Sequence, residues 1–211
     1  CATRQFTGST RAGVEALDEG LDRDGPTLVV GSDAPRGAPD SDVEHAAGAG
    51  AGAIVLTEEG AGEVGTVGEH TTPYPGTRFR RRGSVETEGL GITHYDRQAY
   101  REAVGGAGVG VDTAGVDAAA VGGPDGSLPY RASDELGVDA ETIRAGATVH
   151  DLGDTGAAMP LLGLATAVRG GAERTLVVGY GSGAAALALV VEGAPPVALD
   201  AEPTAELTYA E

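Results

Sequence analysis

The chain has 211 residues, of which 32 are acidic and 14 basic, for a net charge of -18. Every basic residue is arginine and lysine is absent, a balance that disfavours gripping nucleic-acid phosphates. The single cysteine, Cys1, excludes an internal disulfide framework and a cysteine-based zinc site, and no apolar run approaches the roughly 18 residues of a membrane helix.

In chain order, Gly13 to Asp24 has the spacing of an amphipathic helix ending in charge, and Thr27 to Gly31 (Thr-Leu-Val-Val-Gly) that of a buried strand. Pro35 to Asp40 is turn-rich, Asp42 to Ala47 a short helical candidate, Ala51 to Thr57 an apolar run, and Glu63 to His70 alternates as a strand does. Thr71 to Gly91 is polar, punctuated by Gly and Pro and basic, with Arg78, Arg80, Arg81 and Arg82 close together, the composition of a surface loop. Tyr95 to Val104 is helical in spacing, with Asp96 suited to cap its first turn. A short buried strand is expected at Asp117 to Val121, helices at Leu128 to Leu136 and at Ala140 to Ala145 entered through Asp139, and one more short strand at Thr148 and Val149. From Asp154 a long helix is expected through Met159 to Val168, with Pro160 in its first turns, where a missing amide proton costs little. Helices alternate with apolar strands, the pattern of an α/β sheet covered on both faces.

Thr27 to Gly31 recurs residue for residue as Thr175 to Gly179. Each copy follows a helical stretch, Gly13 to Asp24 or Leu161 to Arg174, and precedes a Gly/Ala-rich turn and a second apolar run, Ala51 to Thr57 or Ala184 to Glu192. Similarity at a fixed offset marks a repeated structural unit. With aromatics at 4% and no Trp, the core must be built from Val, Leu, Ala and Ile. So large a negative charge repels itself unless salt screens it, and at about 1 M salt the screening length is near 3 Å. The composition therefore fits a soluble, cytoplasmic protein of a salt-accumulating halophile, an acidic protein at ordinary salt being the plainer alternative. The chain opens without Met and closes in the acidic, Pro-containing stretch 194–211, so the expectation is a tail or linker there and a natural polypeptide of which part is missing.

Several segments, taken in order, resemble the thiolase superfamily, in particular its archaeal-type hydroxymethylglutaryl-CoA synthases and, second, the CoA-primed ketoacyl synthases. Thr10-Arg11-Ala12-Gly13 stands where that family has its nucleophile followed by Lys-Ala-Gly at a helix start. Gly31-Ser32-Asp33 with Gly37-Ala38-Pro39, and then His45 to Ile54, match a family loop and its Gly/Ala-rich strand. Phe79-Arg80-Arg81-Arg82-Gly83 and Pro124 to Arg131 resemble an aromatic-Arg-Arg stretch and a Pro-Asn-Gly run, and Leu152 to Pro160 and Gly181-Ser182-Gly183 resemble the later Gly-rich signatures. The resemblance implies an α/β, thiolase-like layered αβαβα sandwich with duplicated halves and the N-terminal part of the first half absent. The regions would be 1–94 for the remainder of that half, 95–193 for the C-terminal half, and 194–211 for the tail.

The resemblance also implies an activity, the condensation of two acyl-CoA thioesters in isoprenoid-precursor or acyl-chain metabolism. That chemistry needs a nucleophile, oxyanion donors and a base. The family's Cys falls on Thr10, or Ser9 if the register slips by one, its His on Gly122 and its Asn on Asp154. A hydroxyl is far harder to ionise than a thiol, Gly122 carries no imidazole, and an ionised Asp154 would repel an oxyanion, so Thr10 is expected to be a helix cap or a pocket-lining hydroxyl rather than a working nucleophile, and Asp154 to cap the following helix. What survives is scaffolding: backbone N–H groups of Gly181, Ser182 and Gly183 for a carbonyl, and Arg80, Arg81 and Arg82 for CoA phosphates, against the plainer reading of a solvated basic loop. The alternative function is a catalytically inactive thiolase-fold subunit that binds acyl-CoA, or that scaffolds an active thiolase and an OB-fold, zinc-ribbon partner. A homodimer is implied in either case, with no cofactor beyond the CoA thioester as substrate.

Other signals are weaker. Gly179, Gly181 and Ala184 mimic a dinucleotide fingerprint, but strand residues follow where a helix must open. His45, His70, His94 and His150 have no metal-ligand spacing, so no metal is expected, although His150 and Asp151 could border the pocket.

Overall fold

The computed structural model describes residues 2–199. Its elements are α1 (Ala12–Leu21), β1 (Thr27–Asp33), α2 (Asp42–Ala46), β2 (Gly50–Leu56), β3 (Gly62–Tyr74), β4 (Phe79–Arg80), β5 (Thr87–Glu88) and α3 (Thr93–Gly108). There follow β6 (Ala118–Val121), α4 (Leu128–Arg131), α5 (Ser133–Leu136), α6 (Ala140–Gly146), α7 (Val149–Leu152), a 3-10 turn at Gly156–Ala158, α8 (Met159–Arg169), β7 (Arg174–Gly181) and β8 (Gly183–Gly193). Among these residues no helix is long and apolar enough to cross a membrane.

The repeat seen in the sequence is a structural module of helix, strand and returning antiparallel strand. In α1–β1–β2, Leu28 pairs with Val55, Val29 with Ile54 and Val30 with Ala53. In α8–β7–β8, Leu176 pairs with Val190, Val177 with Leu189 and Val178 with Ala188. The second hairpin turns over Ser182 alone, whereas the first carries 34–49, with α2, between its strands.

α1 and α8 lie together between the two sheets. Val14 and Leu17 of α1, Leu161 and Leu164 of α8, Val29 of β1, and Val177, Leu187 and Leu189 of the larger sheet form one buried cluster. Close approach at the helix entry demands glycine: a Cβ on Gly13 would lie 2.1 Å from the carbonyl oxygen of Ala157. The larger sheet has the order β3-β8-β7-β6, with β6 and β7 parallel and the other neighbours antiparallel. Its far face carries Leu176, Val178, Ala186, Ala188 and Val190, packed under Ala99, Tyr100, Ala103 and Val104 of α3 and Leu136 of α5. The layers thus run sheet, helices, sheet, helices. The outer face of β1–β2, where the expected fifth layer would lie, is bare among the described residues, with Leu28 64%, Val30 55% and Val55 64% exposed. A Val or Leu left in water forgoes about 1.5–3 kcal/mol of burial. Their counterparts Leu176, Val178 and Val190 are 0%, 0% and 4% exposed.

Some boundaries move. β3, on the N-terminal side of the 94/95 boundary, pairs along its length with β8 and so joins the sheet of the C-terminal region. Thr148 and Val149 do not form a strand: the Thr148 carbonyl accepts the N–H groups of Asp151 and Leu152, and this local turn makes α7. The polar stretch after β3 is not wholly loop, since Phe79 and Arg80 pair with Glu88 and Thr87 as a small hairpin. α3 begins at Thr93, so Asp96 stands within its first turn and caps nothing; one carboxylate oxygen is buried without a hydrogen-bond partner, and burial raises its pKa. Asp139 does cap α6, accepting the Thr142 N–H at 2.8 Å. The region 194–211 is described only through Leu199, as irregular chain; the rest lies outside the described residues.

Candidate active site

β6 and β7 run parallel, and the residues aligned by resemblance gather on their carboxyl ends and on the entries to α1 and α8. Thr10 precedes α1, and its hydroxyl donates to the Tyr180 carbonyl near the end of β7 at 2.6 Å. It does not cap the helix, whose first turn closes by backbone bonds, Ala12 N–H to the Ser9 carbonyl and Val14 N–H to the Arg11 carbonyl. Ser9 lies even closer to the β7–β8 turn: a Cβ on Gly181 would sit 2.0 Å from its Oγ, so only glycine admits this contact. The Ser9 Oγ accepts the Arg11 N–H at 3.3 Å. Neither hydroxyl bonds to an imidazole or carboxylate among the described residues, so nothing there withdraws its proton.

Gly122 follows β6 directly. Its N–H donates to the Val178 carbonyl at 2.8 Å and its carbonyl accepts the buried Tyr100 hydroxyl at 2.9 Å. A Cβ here would stand 3.3 Å from that Val178 oxygen and 3.4 Å from Pro160 Cγ. Backbone bonding, rather than a side chain, occupies this place.

Asp154 is the most heavily bonded of the three. Its N–H donates to the Ala46 carbonyl at 2.6 Å, its carbonyl accepts the Gly48 N–H at 2.9 Å, and its Oδ1 accepts the Gly156 N–H at 2.8 Å. Its Oδ2 accepts from Arg78 Nη1 at 2.6 Å, an ion pair in which both side chains are largely buried. The carboxylate does not cap α8, whose N-cap position is Ala158 and carries no side-chain cap bond; its bond to Gly156 is a local turn two residues on. It turns the chain into the 3-10 entry of α8, aided by Asp33, whose Oδ2 accepts the Ala157 N–H at 3.2 Å, and it neutralises Arg78.

Tyr180 packs edge-on against Tyr100, with ring centroids 4.8 Å apart. Burial pushes the Tyr180 phenol up to about 12, the Thr77 hydroxyl bonded to it offsetting part of the rise, and burial likewise holds Tyr100 well above its ordinary value. Both phenols are neutral at physiological pH, and the Tyr100 hydroxyl donates to the Gly122 carbonyl. Thr77 Oγ1 also accepts the Gly183 N–H at 3.3 Å, taking one of the amides expected to meet a substrate carbonyl.

Arg80, Arg81 and Arg82 lie exposed on the β4–β5 hairpin, where Arg81 pairs with Glu88 at 2.8 Å and Arg80 reaches the Thr87 hydroxyl at 3.5 Å. The cation that enters the site is their neighbour Arg78. An open cleft of about 560 Å³ lies beside the Asp154 turn, lined by His45, Asp125, Gly126, His150 and Asp151. No group of three or more His, Cys, Asp or Glu among the described residues could hold a metal.

No family model matches the chain. A curated hydroxymethylglutaryl-CoA synthase from Methanothermobacter thermautotrophicus is 28% identical over 200 residues, covering 90% of this chain and 57% of the relative. Those of Archaeoglobus fulgidus and Caldivirga maquilingensis are 31% identical over 170 residues and 32% over 177, each covering 78% of this chain and 50% and 49% of the relative. The chain belongs to the thiolase superfamily, on its hydroxymethylglutaryl-CoA synthase-like side. It spans about half the length of the curated relatives it matches. The fold agrees. A hydroxymethylglutaryl-CoA synthase solved with CoA matches 90% of this chain and 56% of its own, at 15% identity and a TM-score of 0.72. The 3-oxoacyl-[acyl-carrier-protein] synthase III of Aquifex aeolicus matches 89% of this chain and 66% of its own, at 16% identity and a TM-score of 0.64.

Sequence reasoning named Thr10, Gly122, Asp154 and the Gly181 to Gly183 turn, and the structure ties each of them to the ends of β6 and β7 or to the α8 entry. It missed Arg78, Thr77, Tyr100 and Tyr180. Arg78 alone left a trace, as the member of the basic run set apart by Phe79.

Proposed function

We propose that this chain is an acyl-CoA-binding homologue of hydroxymethylglutaryl-CoA synthase that has given up the family's cysteine-based condensation and serves as a binding or scaffold subunit. The observation that carries this reading is the bonding of the site to itself. The Thr10 hydroxyl is spent on the Tyr180 carbonyl, and the carboxylate at Asp154 is spent on Arg78 and Gly156. A nucleophile must be free to lose its proton to a base, and an oxyanion donor must present an N–H or O–H where charge develops. Neither condition is met by these groups. The ligand class is inferred from the relatives, whose solved structures include complexes with CoA and with 3-hydroxy-3-methylglutaryl coenzyme A.

The second reading, an active condensing acyltransferase, draws on the placement of Ser9 and Thr10 at the amino-terminal end of α1 and against the Gly181 to Gly183 turn, where a helix dipole favours developing negative charge. One pair of measurements separates the two. Incubated with acetyl-CoA at high salt, the protein is expected to keep its unmodified mass while calorimetry registers CoA binding. A stable acetyl adduct on Ser9 or Thr10 would establish the acyltransferase instead, and absence of any CoA binding would remove both readings. A homodimer, and association with an active thiolase or an OB-fold zinc-ribbon protein, belong to this proposal as its expected assembly.

A further inference from the structure

Arg80-Arg81-Arg82 is the one place in the chain where arginines adjoin, and of the basic run only Arg78 enters the site. The three stand exposed, with Gly83 and Val85, at the tip of the β4–β5 hairpin, and Ser84 lies between those last two. The tip is lightly held. The Ser84 N–H donates to the Arg81 carbonyl at 3.0 Å, closing a turn over Gly83, which has a φ of 82° and open space where a Cβ would lie. The Ser84 Oγ accepts the Glu86 N–H at 3.0 Å, and its own proton meets the Glu86 carbonyl at 3.4 Å. Arg81 pairs with Glu88 while its side chain stays 72% exposed, and Arg82 makes no ion pair among the described residues.

We propose that Ser84 is a phosphoryl-acceptor site for an arginine-directed protein kinase, and that Arg81 and Arg82 clamp the phosphate once it is attached. A kinase of that class takes its substrate as extended chain, with carboxylates for guanidinium groups two and three residues before the acceptor and an apolar pocket for the residue after it. Here Arg82 and Arg81 stand at those two places, and Val85, 63% exposed, follows the serine. Drawing out the tip gives up one turn and the local bonds to Glu86. In the transfer the Ser84 Oγ bonds to the γ-phosphorus of ATP, the bond from that phosphorus to the bridging oxygen breaks to release ADP, and the hydroxyl proton passes to the kinase's catalytic aspartate. Ser133 also has an arginine two residues before it, Arg131, but it opens α5, Asp134 follows it, and no second arginine adjoins. The phosphate brings about two negative charges to a tip that holds three exposed arginines against Glu86 and Glu88, so the tip turns from basic to acidic and Arg81 is drawn off Glu88. Modification thereby withdraws a basic surface from any anionic ligand of this acidic molecule. The inference concerns the hairpin alone and stands whether or not CoA binds.

The test uses the folded 211-residue protein, its fold checked by circular dichroism in the reaction buffer, with MgATP and the catalytic subunit of cyclic-AMP-dependent protein kinase as the arginine-directed probe. Intact mass is expected to rise by one phosphate, placed on Ser84 by peptide mapping. Ser84→Ala should abolish the gain, and Arg81→Ala with Arg82→Ala should slow it by about a hundredfold or more. In the modified protein the side-chain N–H resonances of Arg81 and Arg82 are expected to shift, while unmoved resonances would overturn the clamp. A folded protein that stays unmodified overturns the proposal, whether or not a free peptide of residues 78–90 is accepted. So does phosphate that reaches Ser84→Ala at an undiminished rate, because the acceptor then lies elsewhere.

Discussion

Leu28 and Leu176 occupy the same place in two copies of one module, each opposite a valine, each one residue before a valine that faces the central helices. One lies in solvent and the other is sealed beneath α3. Since the strands carry the same residues, the difference does not come from the module. It comes from what the rest of the chain lays over it, and the inner faces, where both modules meet α1 and α8, show how alike the two are when their surroundings match.

The sharpest way to break the comparison is to charge both outer faces. Val178→Asp buries a carboxylate with no partner and is expected to cost more than about 4 kcal/mol, enough to prevent folding, while Val30→Asp is expected to stay within about 0.5 kcal/mol. Urea denaturation of the two variants, or failure to recover the first, reads the contrast. Equal losses would mean that β1–β2 is covered as well as β7–β8.

Next in size is the entry to α8. Arg78→Ala leaves the Asp154 carboxylate buried without its cation, and a loss of about 3 kcal/mol is expected from thermal melts. No such pair holds the entry to α1, where Arg11 bonds the more exposed Glu15 and Glu69. Arg11→Ala should therefore cost under about 1 kcal/mol.

Tyr180 and Ser32 stand at equivalent positions, and only the first is a buried acid. Its folded pKa of about 12 exceeds the ordinary 10, so the folded state holds the proton more tightly. Stability is then unaffected below pH 10 and falls as pH rises from 10 towards 12, by about 2–3 kcal/mol in all. Tyr180→Phe is expected to remove that part of the alkaline loss, leaving the share due to Tyr100. An unchanged alkaline profile in Tyr180→Phe would contradict the burial argument.

The inner faces offer the smallest and most exacting test. Val29 and Val177 are both buried in the central cluster, so Val29→Ala and Val177→Ala should each cost about 2 kcal/mol and differ little. A large disparity would show that the two modules are not packed alike even where they share the same helices.

How much of this was legible beforehand depended on distance along the chain. The repeat, the Asp139 cap and the strand at 118–121 rest on residues within a few positions of one another, where period and capping chemistry act directly. Arg78 and Asp154 are 76 residues apart in the chain, and the ion pair exists because β3 carries the chain across to β8 and returns it beside the α8 entry. Thr148 and Val149 looked like strand because β-branched residues favour it, but the carbonyl of Thr148 found two amide partners within its own turn. Asp96 reads as a cap because the spacing puts the helix start at Tyr95, two residues later than the observed start at Thr93. The places of Thr10, Gly122 and Asp154 were readable through the resemblance, but not their partners: Tyr180, Tyr100 and Arg78 reach them from other strands, helices and loops.

The two faces can be weighed most directly by thiol labelling. In a Cys1→Ser background, Val30→Cys and Val178→Cys each place one thiol at equivalent points of the two modules, and the rate of reaction with an aromatic disulfide reports how well each is covered. The account predicts that the thiol at position 30 reacts at nearly the rate of a free cysteine and that the one at 178 reacts slower by about a thousandfold or more, in step with unfolding. Comparable rates at the two positions would contradict it.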